Sequence, residues 1–125
     1  MGPEQKMVLE FHRKYELPCP ARPVMPSPKD RLRRARLIVS EAAEFLEAAD
    51  QNDFVEMVDA LADILVVTYG TAIEMGVDLE PVFAEVHRSN MSKNGGRDVG
   101  GKVLKGPAFS PPDIPGELAK QGYAP

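Results

Sequence analysis

Asp63 sits inside Ala60-Leu61-Ala62-Asp63-Ile64-Leu65-Val66-Val67, a stretch in which an ionised carboxylate has almost only apolar neighbours. Burying that charge alone is costly, so the residue needs a counter-ion or a metal. Asp59 stands one turn earlier on the same face and Glu56 three residues before it, which gives one helix up to three acids in a narrow band. Like charges at this spacing repel each other. A hard divalent cation relieves the repulsion, since Mg²⁺ takes carboxylate and water oxygens and suits a site that substrate phosphates complete. Glu41 and Glu44, three residues apart and adjacent on a second helix, supply the opposing half of such a cage. Each acid also has a plainer use: Asp63 paired with an arginine of another helix, Glu41 and Glu44 as a polar edge, Glu56 as the third-position acid of a capping box. Glu47, Asp50 and Asp53 read as solvent and turn acids.

Charge is segregated along the chain. Between Arg36 and Arg88 there is no lysine or arginine but there are twelve acids, whereas the flanks carry 15 basic residues against 7 acids. An acidic centre of this kind disfavours nucleic acid, whose phosphates need a basic surface, and fits a site balanced by divalent cations. At 125 residues the chain is one small domain. No apolar run approaches the roughly 18 residues that cross a bilayer, and the N-terminus lacks the charged-then-apolar order of a secretory signal, so a soluble cytoplasmic protein without a membrane partner is expected. The single Cys19, set between two prolines, cannot form an internal disulfide. Oligomerisation is then the remaining way to add buried area, and a homodimer or homotetramer is expected.

The elements that must position the acids read as helices. Met7, Val8, Phe11 and Tyr15 give helical spacing over 4 to 16, and Pro18, Pro20, Pro23, Pro26 and Pro28 make residues 18 to 28 an extended strap. Ser27-Pro28 with Asp30 opens a second helix running to about Ala49, with Ile38, Ala42, Phe45, Leu46 and Ala49 as its apolar stripe. Asp53 with Glu56 restarts a third helix to Met75, closed by Gly76 and cored by Met57, Leu61, Ile64, Leu65, Thr68 and Ala72. Asp78 caps a fourth helix, which carries Val82, Phe83 and Val86 towards Asn90. The Gly/Pro-rich remainder, 94–125, reads as a loop arm on a helical core of about 4–93, and nothing argues for a sheet.

In order and spacing these residues resemble the all-α nucleoside triphosphate pyrophosphohydrolases, the MazG-like proteins and the related phosphoribosyl-ATP pyrophosphohydrolases. Ser40-Glu41-Ala42-Ala43-Glu44 matches the family's Glu-Glu-x-x-Glu segment except for serine in place of the leading glutamate. Asp59-Ala60-Leu61-Ala62-Asp63 stands where Glu-Glu-x-x-Asp is common, with Ala60 in place of a glutamate, and a literal Glu-x-x-Asp also occurs as Glu56 to Asp59. The resemblance runs over helix one, the strap, the segment Glu85 to Lys93, residues 101 to 107 and Pro111-Pro112-Asp113-Ile114. It implies a four- to five-helix bundle completed by oligomerisation. It also implies hydrolysis of a nucleoside triphosphate between the α- and β-phosphorus, giving a nucleoside monophosphate and pyrophosphate. Glu41, Glu44, Asp59 and Asp63 would hold Mg²⁺ or Mn²⁺, and Glu44 or Glu56 would take the proton from the attacking water. Arg88, Asn90, Lys93, Arg97, Lys102 and Lys105 would contact the phosphates or base. Phosphoribosyl-ATP hydrolysis and a non-enzymatic helical interaction module are the competing readings.

Two other motifs are set aside. Gly96-Arg97-Asp98-Val99-Gly100-Gly101-Lys102 has the glycines and lysine of a P-loop but Val103 where a hydroxyl is needed, and no apolar strand before it. His12 and His87 have no ligand partners at useful spacing, and His12 reads as a helix-surface residue.

Overall fold

The computed structural model describes residues 1–125 and is all-helical: α1 (Pro3–Lys14), α2 (Pro28–Asp50), α3 (Phe54–Glu74), α4 (Leu79–Met91) and α5 (Ile114–Lys120). The starts follow from side chains that satisfy the free N–H groups of a first turn. Ser27 Oγ accepts from the Asp30 N–H at 3.2 Å with Pro28 at the first helical position, Asp53 from the Glu56 N–H at 3.2 Å, Asp78 from the Glu80 N–H at 3.1 Å, and Asp113 from the Gly116 N–H at 3.0 Å. Gly76 ends α3 at φ +69°, and a side chain there would strike the carbonyl of Arg22 in the strap. No single helix is long and apolar enough to cross a membrane.

The turn Gln51–Asp53 is too short to do anything but fold α3 back on α2, so the two long helices form an antiparallel hairpin. A buried ionic lock fastens its open end. Glu74, 4 % exposed, takes Arg33 Nη2 at 2.8 Å on one oxygen and Arg34 Nη1 at 2.9 Å on the other. Arg34 also donates from Nε to Thr71 Oγ1 at 3.1 Å and from Nη2 to the Val67 carbonyl at 2.9 Å. Desolvation pulls the Arg34 pKa below its ordinary value while Glu74 opposes the shift. Gly70 makes the space, since a Cβ there would collide with the Arg34 guanidinium and lie 3.2 Å from His12 Nε2. Removing one member of such a buried pair costs about 3–5 kcal/mol, because the other charge is left uncompensated.

α1 packs along α3 and ties the strap and the C-terminal end of α3. His12 is 2 % exposed and donates from Nδ1 to the Pro18 carbonyl at 3.0 Å, which corrects the surface placement expected of it: the strap turns immediately after α1 and needs a donor for its first carbonyl. Buried Gln5 donates to the Val77 carbonyl at 2.8 Å and accepts from the Leu79 N–H at 3.0 Å. Gln121 makes the equivalent pair with the carbonyl and N–H of Asp78, at 2.9 and 2.8 Å. Two glutamine amides thus bracket the corner where α4 turns 114° from α3. The strap itself runs over this end of α3, with the Val24 N–H on the Met75 carbonyl at 2.9 Å.

Two further sequence expectations need revision. The arm contains α5, which begins at an aspartate cap and a proline, and before it a ribbon in which Arg97 pairs with Val103. The tip of that ribbon is closed by Asp98, whose carboxylate accepts from the Gly100 and Lys102 N–H groups at 2.9 Å; it is a hairpin, not a strand–loop–helix phosphate cradle. The second revision concerns the core. The fully buried apolar side chains are Val8, Ala48, Ala60, Ala72 and Ile73, whereas Leu61, Leu65 and Leu46 stand 50 %, 53 % and 70 % exposed. Hydrophobic periodicity put Leu61 and Leu65 on the core stripe of α3 and Leu46 on that of α2, but nothing in this chain covers them.

Replacing Gly70 by alanine should destabilise the protein by up to about 2 kcal/mol in urea unfolding. Overpacking against Arg34 costs roughly 1–3 kcal/mol, which the better helix propensity of alanine offsets only by about 1 kcal/mol.

Candidate metal centre in the α2–α3 seam

The hairpin brings Glu41 and Glu44 of α2 to Asp63 of α3, with one carboxylate oxygen of each within 4.8 Å of the others. Glu41 is half-buried, Glu44 exposed and Asp63 half-buried. The Glu41 Oε2 atom is closed off from solvent with no hydrogen-bond partner. Desolvation, then the contact with Glu44, then the charges of Asp63 and Asp59, hold the Glu41 pKa above the ordinary carboxylate range. The arginines that the sequence offered as partners for Asp63 are engaged by Glu74 instead, and Asp63 has no ion pair.

These residues fit a hard cation. All donors are oxygens, the set is acidic, and 4.8 Å is little more than the ~4.2 Å between opposite ligands of an octahedral ion with bonds of ~2.1 Å. Small rotamer changes close the remainder. Asp59 lies near enough to act on the charge of Glu41 but outside the three-residue group. Glu56 is exposed in the first turn of α3, its N–H taken by the cap, and is also outside that group. Ala60, where a glutamate would match the motif, is 4 % exposed in the helix packing and has no room for a carboxylate.

The basic residues expected to contact phosphate stand on α4 and the arm. Arg88 donates to Glu85 at 2.6 Å, to Ser110 Oγ at 3.0 Å and to the Pro111 carbonyl at 3.1 Å, which pins the arm onto α4. With the Asp113 N–H as a further donor, this holds the Glu85 carboxyl down at about 2 and pushes Arg88 up. Lys105 covers the Phe109 ring at 5.0 Å, and Arg97 and Lys102 are exposed on the ribbon. Asn90 is exposed and Lys93 half-buried at the end of α4. The 114° corner and a rise of 1.5 Å per residue put Met91, at the end of α4, on the order of 20 Å from Asp63.

An apolar cavity of about 420 Å³ is lined in part by Met25, Ile38, Thr68, Met75, Leu118 and Tyr123. At 100° per residue Thr68 is rotated by about 140° from Asp63 around α3, which places the cavity on the other edge of the hairpin from the carboxylates. Sequence reading missed Glu74, Arg33 and Arg34 altogether. The signal available was Glu74 itself, an acid at the end of an apolar helix, with two arginines placed to meet it across an antiparallel pair.

The helical hairpin makes this an all-α protein with an acidic site in the interhelical seam. The phosphoribosyl-ATP pyrophosphohydrolase family model matches residues 8–90, from the middle of α1 to the end of α4, and the chain belongs to that family, within the MazG-like all-α nucleoside triphosphate pyrophosphohydrolases. No curated protein matches the chain. It is accordingly a nucleotide pyrophosphohydrolase, a hydrolase of phosphorus-containing anhydrides. Members of this family are typically dependent on a divalent metal.

The raised Glu41 pKa has a defined consequence for stability. A carboxyl whose folded pKa lies above its unfolded value favours folding most at low pH and loses that contribution as pH rises from about 4.5 through the folded value. In chelator the melting temperature should therefore fall over this range, and Asp63→Asn should flatten the fall. Millimolar Mg²⁺ should reverse it above the folded pKa, as read by differential scanning fluorimetry.

Proposed function

We propose that the protein is a Mg²⁺- or Mn²⁺-dependent pyrophosphohydrolase that cleaves a nucleotide between its α- and β-phosphorus, releasing pyrophosphate. The observation that carries this reading is the convergence of Glu41, Glu44 and Asp63, with an orphaned buried oxygen on Glu41, in a chain of this family. Glu41, Glu44 and Asp63 hold the cation, with Asp59 at the edge of the set. Bound there, the metal neutralises phosphate charge and makes water a better nucleophile. Glu44 is the most exposed of the three and takes the proton from the attacking water as the α-phosphorus gains that oxygen; the bond to the bridging oxygen breaks and pyrophosphate leaves. Glu56 has no part in this arrangement. Nucleoside and deoxynucleoside triphosphates are the proposed substrates, with clearance of non-standard deoxynucleotides as the role. The family match favours phosphoribosyl-ATP as a second reading, since it carries the same α–β anhydride.

Pyrophosphate release from a panel of ribo- and deoxyribonucleoside triphosphates, dUTP and dCTP included, and from phosphoribosyl-ATP should occur with Mg²⁺ and stop with chelator. Asp63→Asn should lower kcat/KM by about 100-fold or more, the scale for removing one charge-stabilising group. Turnover unchanged in Asp63→Asn would refute the assignment, and the preferred substrate separates the two readings.

The protein also works as a homo-oligomer in this proposal. A folded monomer of 13.7 kDa exposes about 6,600 Å², whereas this chain exposes 8806 Å². The excess of about 2,200 Å² is the amount an obligate homo-oligomer covers per subunit. The uncovered face is a stripe of Phe54, Val58, Leu61 and Leu65 at alternating spacings of four and three, the seam spacing of paired helices, on the opposite side of α3 from Asp59 and Asp63. Light scattering should give the mass of a dimer or tetramer. Leu61→Asp with Leu65→Asp should reduce it to the monomer mass or leave aggregated chain.

A further inference from the structure

We infer that Arg34 and Glu74 are positioning residues for the carboxylate site: the lock they form sets the spacing at which Glu41 and Glu44 of α2 face Asp63 of α3. The inference rests on the metal-site reading above and adds to it residues that touch neither metal nor substrate.

Glu41 lies seven residues beyond Arg34, and Asp63 seven residues before Gly70, over which the Arg34 guanidinium sits. Seven residues are close to two full turns, so lock and carboxylates share the same faces of an antiparallel pair, displaced by about 10 Å in one direction. The carboxylates occupy the middle of the hairpin. The short turn Gln51–Asp53 holds one end, and the lock holds the other. Between them, Glu41, Glu44 and Asp63 present like charges within 4.8 Å and push the helices apart. Against that push, small residues such as Ala48 and Ala60 add packing but no directional contact.

Arg34 supplies the direction. Its three nitrogens reach Thr71 Oγ1, the Val67 carbonyl and Glu74, at 3.1, 2.9 and 2.9 Å, so both rotation and axial position of α2 against α3 are fixed. The Val67 contact is to backbone, which ties the guanidinium to the helix itself rather than to a mobile side chain. A slip of one turn, about 5.4 Å, exceeds the whole spread of the carboxylate group. Arginine is required for this, because lysine offers one point charge in place of a planar fork.

The test is Mn²⁺ titration of the full chain followed by electron paramagnetic resonance, with circular dichroism melts alongside. Wild type should bind Mn²⁺, and Asp63→Asn should bind at least about 10-fold more weakly. Arg34→Met/Glu74→Leu replaces the pair by apolar groups of similar size, a change that buried ion pairs often tolerate in stability. That variant, melting cooperatively, should lose about 10-fold in Mn²⁺ affinity, the scale for residues that orient ligands from outside the coordination sphere. Arg34→Lys keeps the charge for Glu74 while losing the fork; it should show the same loss, and it decides the matter if the double variant does not fold. Lower melting temperature with Mn²⁺ affinity within twofold of wild type would reduce the lock to a purely structural role and overturn the inference. Equal Mn²⁺ binding by wild type and Asp63→Asn would instead overturn the metal-site reading, and the inference with it.

Discussion

The pairing of Glu74 with Arg33 and Arg34 is the interaction on which the rest of this structure depends. A small helical domain has few ways to fix one helix against another when its buried apolar side chains are only Val8, Ile73 and three alanines. Packing of small residues tolerates sliding and rotation, whereas a desolvated guanidinium with three partners on the facing helix does not. The same group explains why residue 70 is glycine and why His12 is buried, since α1 can close over α3 only where the arginine has left room. The desolvation cost of the pair goes into a single geometry more than into stability.

That geometry matters because the chain gathers acids where the helices meet. Four carboxylates along one seam oppose folding, and Glu41 registers the opposition as a proton held more tightly than usual. A pyrophosphohydrolase needs this tension. A site that binds a divalent ion and a polyphosphate must offer concentrated negative charge to the ion in a rigid frame, because Mg²⁺ tolerates little departure from octahedral geometry. The lock at one end of the hairpin and the short turn at the other keep the charges together.

The remainder of the molecule is arranged around what the hairpin leaves undone. Gln5 and Gln121 fix the α3–α4 corner by satisfying the backbone groups of Val77, Asp78 and Leu79, and so direct α4 away from the acids. Glu85 and Arg88 then hold the arm on α4, with the carboxyl kept ionised by its partners down to about pH 2. The apolar face of α3 turns outward.

Much of this was legible in the residues themselves. Proline and aspartate punctuation placed α1 to α4 within about two residues, because caps satisfy backbone groups locally and need no tertiary partner. The carboxylate set was legible for a related reason: acids at three- and four-residue spacing in an apolar helix have few uses, and Asp63 inside its alanines and leucines stands out by type alone. What the residues did not determine was pairing. Which acid meets which arginine depends on the register of α2 against α3, and the position of Glu74 at the end of a long apolar run marks it as one candidate beside Asp63 without deciding between them. The choice of Asp59 over Glu56 as the acid beside Glu41, the burial of His12 and the exposure of Leu61 and Leu65 turn on the same fact. Periodicity names a face of a helix, and only the packed structure decides what lies against it.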